Sequence, residues 1–173
     1  MQSKPKQLSA KRNFILQQGL DDPHLETCPL QYSALLFQPR LAGLIALIGV
    51  LLQSPVVFLI LAAILWWNAL LPRWNPFDAL YNRTLGARPG AVPLTPAPGP
   101  RRFAQGMAGT FALAIGVSLL LQWRVAAVVL EALLLVAVAA LVFGRFCLGS
   151  FVFHLLRGRA AFAKNTLPWI RST

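Results

Sequence analysis

Two cysteines and two histidines, Cys28, Cys147, His24 and His154, are the residues of this sequence best suited to chemistry. Two thiols that meet can cycle between dithiol and disulfide, which needs their Cα atoms within about 7 Å. Arg145 stands two positions before Cys147, and a neighbouring cation favours the thiolate, the nucleophilic form. Ser150, three positions after it, can donate a hydrogen bond to that sulfur. The alternative for both cysteines is a small buried apolar residue, the commonest fate of a free thiol. With the histidines they also make up a two-cysteine, two-histidine set, spaced His24-x3-Cys28 and Cys147-x6-His154. The second spacing separates its ligands by two helical turns, about 10 Å, which argues against one shared zinc ion. No metal or cofactor is therefore expected, and His154 reads as an imidazole at a membrane interface.

Glu131 is the one acid inside an apolar run, where a carboxylate must be protonated, paired or turned to a polar cavity. Arg124, seven positions earlier and about 10 Å along a helix, is a possible partner. A proton or substrate site, a hydrogen bond to a neighbouring hairpin, and an acid reaching the outer surface all fit this placement. No Walker A loop, Rossmann fingerprint, His-Glu-x-x-His or Gly-x-Ser-x-Gly element occurs, so nothing supports nucleotide chemistry or hydrolysis.

The elements that must position these residues are membrane helices. Of 173 residues 57% are hydrophobic and 12% charged, against about 25% charged in a soluble domain, and mean hydropathy is +0.61. The net charge of +11 comes from cations flanking apolar runs, a pattern of membrane topology and not of nucleic-acid binding. The first forty residues lack the apolar core and cleavage site of a secretory signal, so the leader is expected to be retained.

The uncharged run 41–71 would reach about 46 Å as one helix, longer than a hydrocarbon core of about 30 Å, and must bend. Gln53-Ser54-Pro55 supplies the bend, with Ser54 as a helix cap and Pro55 at the first helical position. Two crossings then need the first helix to start near residue 35, with Arg40 snorkelling; otherwise the pair is a re-entrant hairpin. Asn75 and Pro76 open a short interfacial helix with Asp78 near its positive end, among Trp66, Trp67, Trp74, Phe77 and Tyr81. A proline-rich linker follows over 86–100. A second hairpin, 103–121 and 125–143, turns at Gln122-Trp123-Arg124, and Ala108, Ala112 and Gly116 form a small-residue stripe suited to a helix contact.

The expected fold is thus an all-α integral membrane protein of four transmembrane helices in two hairpins, with interfacial helices after the second and fourth spans. Its segments are a polar leader (1–34), the first hairpin (35–72), the connector (73–102), the second hairpin (103–143) and a basic tail (144–173) whose cations meet anionic headgroups. Five cations precede the first helix, five lie in the connector and five follow the fourth helix, whereas Arg124 alone marks a hairpin tip. The positive-inside rule then puts both termini, both cysteines and both histidines on the cytoplasmic face of a bacterial inner membrane.

Pro100-Arg101-Arg102-Phe103-Ala104-Gln105, Leu130-Glu131-Ala132 and Phe146-Cys147-Leu148-Gly149-Ser150 resemble the bacterial membrane family called domain of unknown function 4395, as does the Cys28-Pro29 pair. The resemblance runs over about residues 27–157 and implies association with thioredoxin-like or sulfurtransferase partners. The family's pattern is Phe-Cys-Leu-Gly-Cys, and here Ser150 replaces the second cysteine, so no redox pair exists within the motif. Three functions stay open: an accessory in thiol or sulfur redox chemistry through Cys147 and Cys28, a structural subunit of a larger membrane complex, and a small transporter using Glu131. An independent enzyme is not expected.

Overall fold

The structure, a computed structural model, describes residues 3–24 and 26–170. Among these residues every regular element is helical. A leader helix α1 (Ser3–Gln17) is followed by a short α2 (Cys28–Leu35) and the first hairpin, α3 (Phe37–Leu52) and α4 (Pro55–Leu70). After a single turn, Pro72–Trp74, come α5 (Pro76–Thr84), the second hairpin α6 (Gly99–Leu120) and α7 (Arg124–Val142), and the tail helices α8 (Leu148–Leu156) and α9 (Ala160–Asn165).

Among the described residues three stretches are long and apolar enough to cross a membrane: Cys28–Leu52, which joins α2 to α3 through Leu36, then Gly99–Leu120 and Arg124–Val142. Helix α4 is as apolar but has 16 residues. Local chemistry sets each boundary. Gln53 ends α3 in the left-handed region at φ 44°, and the Ser54 hydroxyl accepts from the Val57 N–H at 3.5 Å to start α4, with Pro55 at the first position. The Asn75 side chain does the same for α5, accepting from the N–H groups of Phe77 at 2.9 Å and Asp78 at 3.3 Å. Arg102 Nε donates to the Ala69 carbonyl at 2.7 Å, satisfying one of the orphan acceptors at the end of α4. The linker is pinned by Asn82, whose amide both donates to and accepts from the Leu94 backbone.

The core lies where α4 and α6 cross, around Phe58, Leu61, Leu65, Ala112 and Ile115. Small residues let these backbones approach: a Cβ on Gly109 would stand 2.8 Å from Trp66, and one on Gly116 would stand 2.9 Å from Leu59 and 3.3 Å from the Pro55 carbonyl. The contact face therefore includes Gly109, Ala112 and Gly116, while Ala108 borders a cavity. Large apolar side chains point outward from α3, α4 and α7, among them Leu51, Ile60, Val125 and Val136, a surface suited to lipid.

The leader and tail are docked on the bundle. Asn13, Phe14, Ile15 and Gln17 of α1 are buried, and the Asn13 amide donates to the carbonyls of Leu167 and Ile170 in the tail. The tail helix starts at Leu148, four residues after the predicted tail begins, because Gly144 to Phe146 turn through the left-handed Arg145. It packs on α6 through Gly149, where a Cβ would come within 2.6 Å of the Ala104 Cα, and through a Phe103–Phe153 ring contact.

Gly116→Val would force the crossing of α4 and α6 apart, and overpacking of this kind costs about 1–3 kcal/mol. The midpoint of thermal unfolding in detergent is expected to fall, with Gly90→Val, which meets open space but has a positive φ, as a milder comparison.

Candidate functional site

Cys28 opens α2 and Cys147 precedes α8, and both are free thiols in one buried cluster with Phe14, Ile15, Tyr32, Leu35 and Leu36. Helix α1 reaches over them. The Cys147 N–H donates to Gln17 Oε1 at 3.0 Å, and His154 Nε2 lies 3.1 Å from the Gln17 carbonyl. A carbonyl only accepts, so that ring nitrogen carries the proton, and Nδ1 is left buried without a protein partner. The Ser150 hydroxyl lies 3.3 Å from Cys147 Sγ and 3.3 Å from the Pro100 carbonyl, and its single hydrogen can serve either. The guanidinium of Arg145, the cation expected beside Cys147, lies over the Tyr32 ring of the same cluster, 5.9 Å from its centroid, and Lys11 approaches that ring at 5.6 Å. Arg12 and Asp22 fasten the end of α1 to the loop after it with a contact of 2.6 Å, which holds the Asp22 carboxyl below the ordinary carboxylate range.

A second polar group lies at the same end of the bundle. Arg101, in the first turn of α6, donates to Asp78 Oδ1 of α5 at 2.6 Å and to Gln38 Oε1 of α3 at 2.8 Å. Gln105 Nε2, one turn on, donates to the same Gln38 oxygen at 2.8 Å, and Asn75 Nδ2 donates to Asp78 Oδ2 at 3.0 Å. All five side chains are buried. Burial pushes the Asp78 carboxyl above its ordinary range, against the opposing pull of Arg101.

Between these two groups a cavity of about 250 Å³ opens among α3, α4, α6 and α7. Cys147 and Gly149 form part of its wall, Gln18, Gln38, Arg101 and Gln105 supply its polar end, and the remaining lining is apolar.

Glu131 is buried at the far end of the bundle, where Gln53 Nε2 lies 3.2 Å from each carboxylate oxygen. Its partner is thus the first hairpin; Arg124 is exposed at the start of α7, and among the described residues the two form no ion pair. His24 is exposed in the loop before α2, and its carbonyl accepts from the N–H groups of Thr27 and Cys28. Among the described residues no three His, Cys, Asp or Glu side chains come together as metal ligands, so His24, Cys28, Cys147 and His154 do not assemble into a zinc site.

A family model described as a domain of unknown function (DUF4395) matches residues 33–158. The chain belongs to that family. The matched DUF4395 region takes in both hairpins, the Arg101 network, most of the cavity lining and Cys147, whereas Cys28, α1 and the cavity residue Gln18 precede it. No curated protein and no solved structure matches the chain.

Sequence reasoning singled out Cys147, Cys28 and Ser150 but passed over Gln38, Arg101, Gln105, Gln17 and Gln18. A signal for two of these was present, because Arg101 and Gln105 stand four residues apart on the same face of α6 as Ala108 and Ala112. A charge on the inward face of a membrane helix calls for a partner, and the acid of the connector, Asp78, was the nearest available in sequence.

Asp78→Ala leaves Arg101 buried with one amide for company, and removing one partner of a buried pair costs about 3–5 kcal/mol. Thermal unfolding in detergent is expected at a markedly lower temperature, and the double variant Asp78→Ala with Arg101→Leu is expected to recover much of the loss.

Proposed function

We propose that this DUF4395 protein is an accessory in thiol or sulfur redox chemistry at the cytoplasmic boundary of a bacterial inner membrane. Cys147 is its reactive thiol and Cys28 its resolving partner. The observation that carries this reading is the presence of both free thiols in one buried cluster, although they are far apart in the chain. The hydrogen bond available from Ser150 supports Cys147 as the nucleophile, since a donor stabilises the thiolate.

In this reading the Cys147 thiolate attacks a partner's disulfide, forming a mixed disulfide and releasing one partner thiolate, which takes up a proton. Cys28, having lost its proton, attacks Cys147 Sγ, closes the Cys28–Cys147 disulfide and expels the second partner thiol. Two electrons and two protons pass to the partner, which is thereby reduced. A thioredoxin-like or sulfurtransferase protein fits that partner when it presents an oxidised active-site disulfide. Helix α1 covers both thiols, so its displacement admits the partner. Four crossings with both termini cytoplasmic bring the thiols to the same side, and the distribution of cations supports that orientation. Helices α5 and α8 then lie near the headgroups, with Arg157, Arg159 and Lys164 facing anionic lipid.

Mild oxidation of the detergent-solubilised protein with diamide is expected to join the two cysteines, read by intact mass as loss of both thiol hydrogens and by peptide mapping as a Cys28–Cys147 link. With glutathione present, Cys28→Ser should instead accumulate a mixed disulfide between Cys147 and glutathione. If neither cysteine is oxidised and no mixed disulfide is trapped, the redox reading fails.

Gln17→Ala removes the side-chain acceptor for the Cys147 N–H and loosens α1 over the thiols. Maleimide is expected to label Cys147 several-fold faster in this variant, a change in opening equilibrium consistent with one lost hydrogen bond of about 1 kcal/mol.

A further inference from the structure

The cavity has a chemistry of its own, which stands apart from the thiol reading. We infer that it binds an uncharged amphiphile with a hydroxyl head, drawn from the bilayer and seated on Gln105 and Gln18.

The charge balance of the polar end comes first. Arg101 is matched by Asp78 at 2.6 Å, so the pair is neutral as a unit. A carboxylate or phosphate head would have to compete with Asp78, and an ammonium head would meet Arg101 without an acid to spare. A neutral head avoids both costs.

Two unpartnered groups then describe that head. Gln105 is 6% exposed, and its Oε1 has no protein partner. Its amide cannot turn over, because Nε2 donates to Gln38 Oε1, an oxygen that also accepts from Arg101. Oε1 therefore requires a donor from the occupant. Gln18 is 5% exposed and its Nε2 lacks a protein acceptor. Both residues line the cavity. A hydroxyl head has the chemistry both groups need, a hydrogen for Gln105 and an oxygen that accepts from Gln18. A bare hydrocarbon answers neither, and an ionised carboxylate offers no donor.

The walls and mouth describe the tail. Ala42, Ala46, Ala108 and Ala137 stand where longer side chains would fill the space, leaving an apolar slot. Leu133 and Leu148 line the same cavity and are 52% and 45% exposed, so it opens on the outward apolar surface of α7 and α8. The occupant enters from lipid. About 250 Å³ is slightly below the usual range for small-molecule pockets, so the site holds the head and the first part of a chain whose remainder leaves by the mouth.

The hydroxyl-headed chemistry has three membrane sources: long-chain alcohols, monoacylglycerols and alkyl hydroquinones. The full chain in detergent micelles is titrated with 1-decanol, monodecanoylglycerol and a decyl hydroquinone, with decane, decanoate at pH 8 and decyltrimethylammonium as comparisons. Binding is read by native mass spectrometry and by the thermal midpoint. At least one hydroxyl probe is expected to bind saturably at one per chain, at least about ten-fold tighter than any comparison, a factor within reach of two hydrogen bonds. The tightest of the three identifies the source. Gln105→Leu is expected to erase the preference for a hydroxyl. Ala108→Phe, which leaves the polar network untouched, is expected to abolish binding and keeps the test valid if Gln105→Leu does not fold. Equal binding of decane or decanoate, absence of saturable binding by all three hydroxyl probes, or full binding by Ala108→Phe overturns the inference.

Discussion

The buried guanidinium of Arg101 constrains everything around it. An ion removed from water needs an opposite charge and hydrogen-bond acceptors close by, and here these come from separate elements, Asp78 on α5 and Gln38 on α3. Satisfying one side chain therefore fixes three helices relative to one another. It holds the connector helix against the bundle, brings the start of α3 to the start of α6 and leaves Gln105 oriented toward the cavity. The apolar contact of α4 with α6 supplies packing, but it is the polar end that sets which helices meet there.

Polar bonds recur at the other end of the bundle in a simpler form. Gln53, in the left-handed turn between α3 and α4, faces the Glu131 carboxylate of α7. The middle of the bundle is packed mainly by alanine, glycine, leucine, isoleucine and phenylalanine. This distribution agrees with a bilayer as solvent, in which apolar surface gains little from burial against other apolar surface, and short polar contacts define the register.

The features legible in the sequence were those written in a few adjacent residues. Ser54 before Pro55 and Asn75 before Pro76 marked helix starts, because a short polar side chain followed by proline satisfies the first turn locally. The uncharged runs gave the second hairpin within a few residues at each end, although α6 begins at Gly99, inside the predicted linker. Family membership was legible in the elements around Arg101 and Cys147. Interactions between distant residues were not. Arg101 carries the same charge as the exposed cations flanking the runs, and its inward place on α6 signals a need for a partner without showing that both Asp78 and Gln38 supply it. The docking of the leader rests on Gln17 meeting Cys147, a contact without a local signature. Glu131 had several partners open to it, and Gln53 was hidden by its role as a bend.

The position of α1 bears on how such a protein can change. The matched region ends its N-terminal side at residue 33, yet the backbone of Cys147, deep inside that region, is capped by a side chain from residue 17. The cover over the thiol and the second cysteine both belong to the leader, while the cavity and the Arg101 network belong mostly to the helical frame. Substitutions confined to the first thirty residues can thus retune access to the sulfur, or remove its companion, and leave the membrane frame unaltered. The cover over Cys147 and the bundle that carries Cys147 are written in separable stretches of the chain, so each is open to selection without the other.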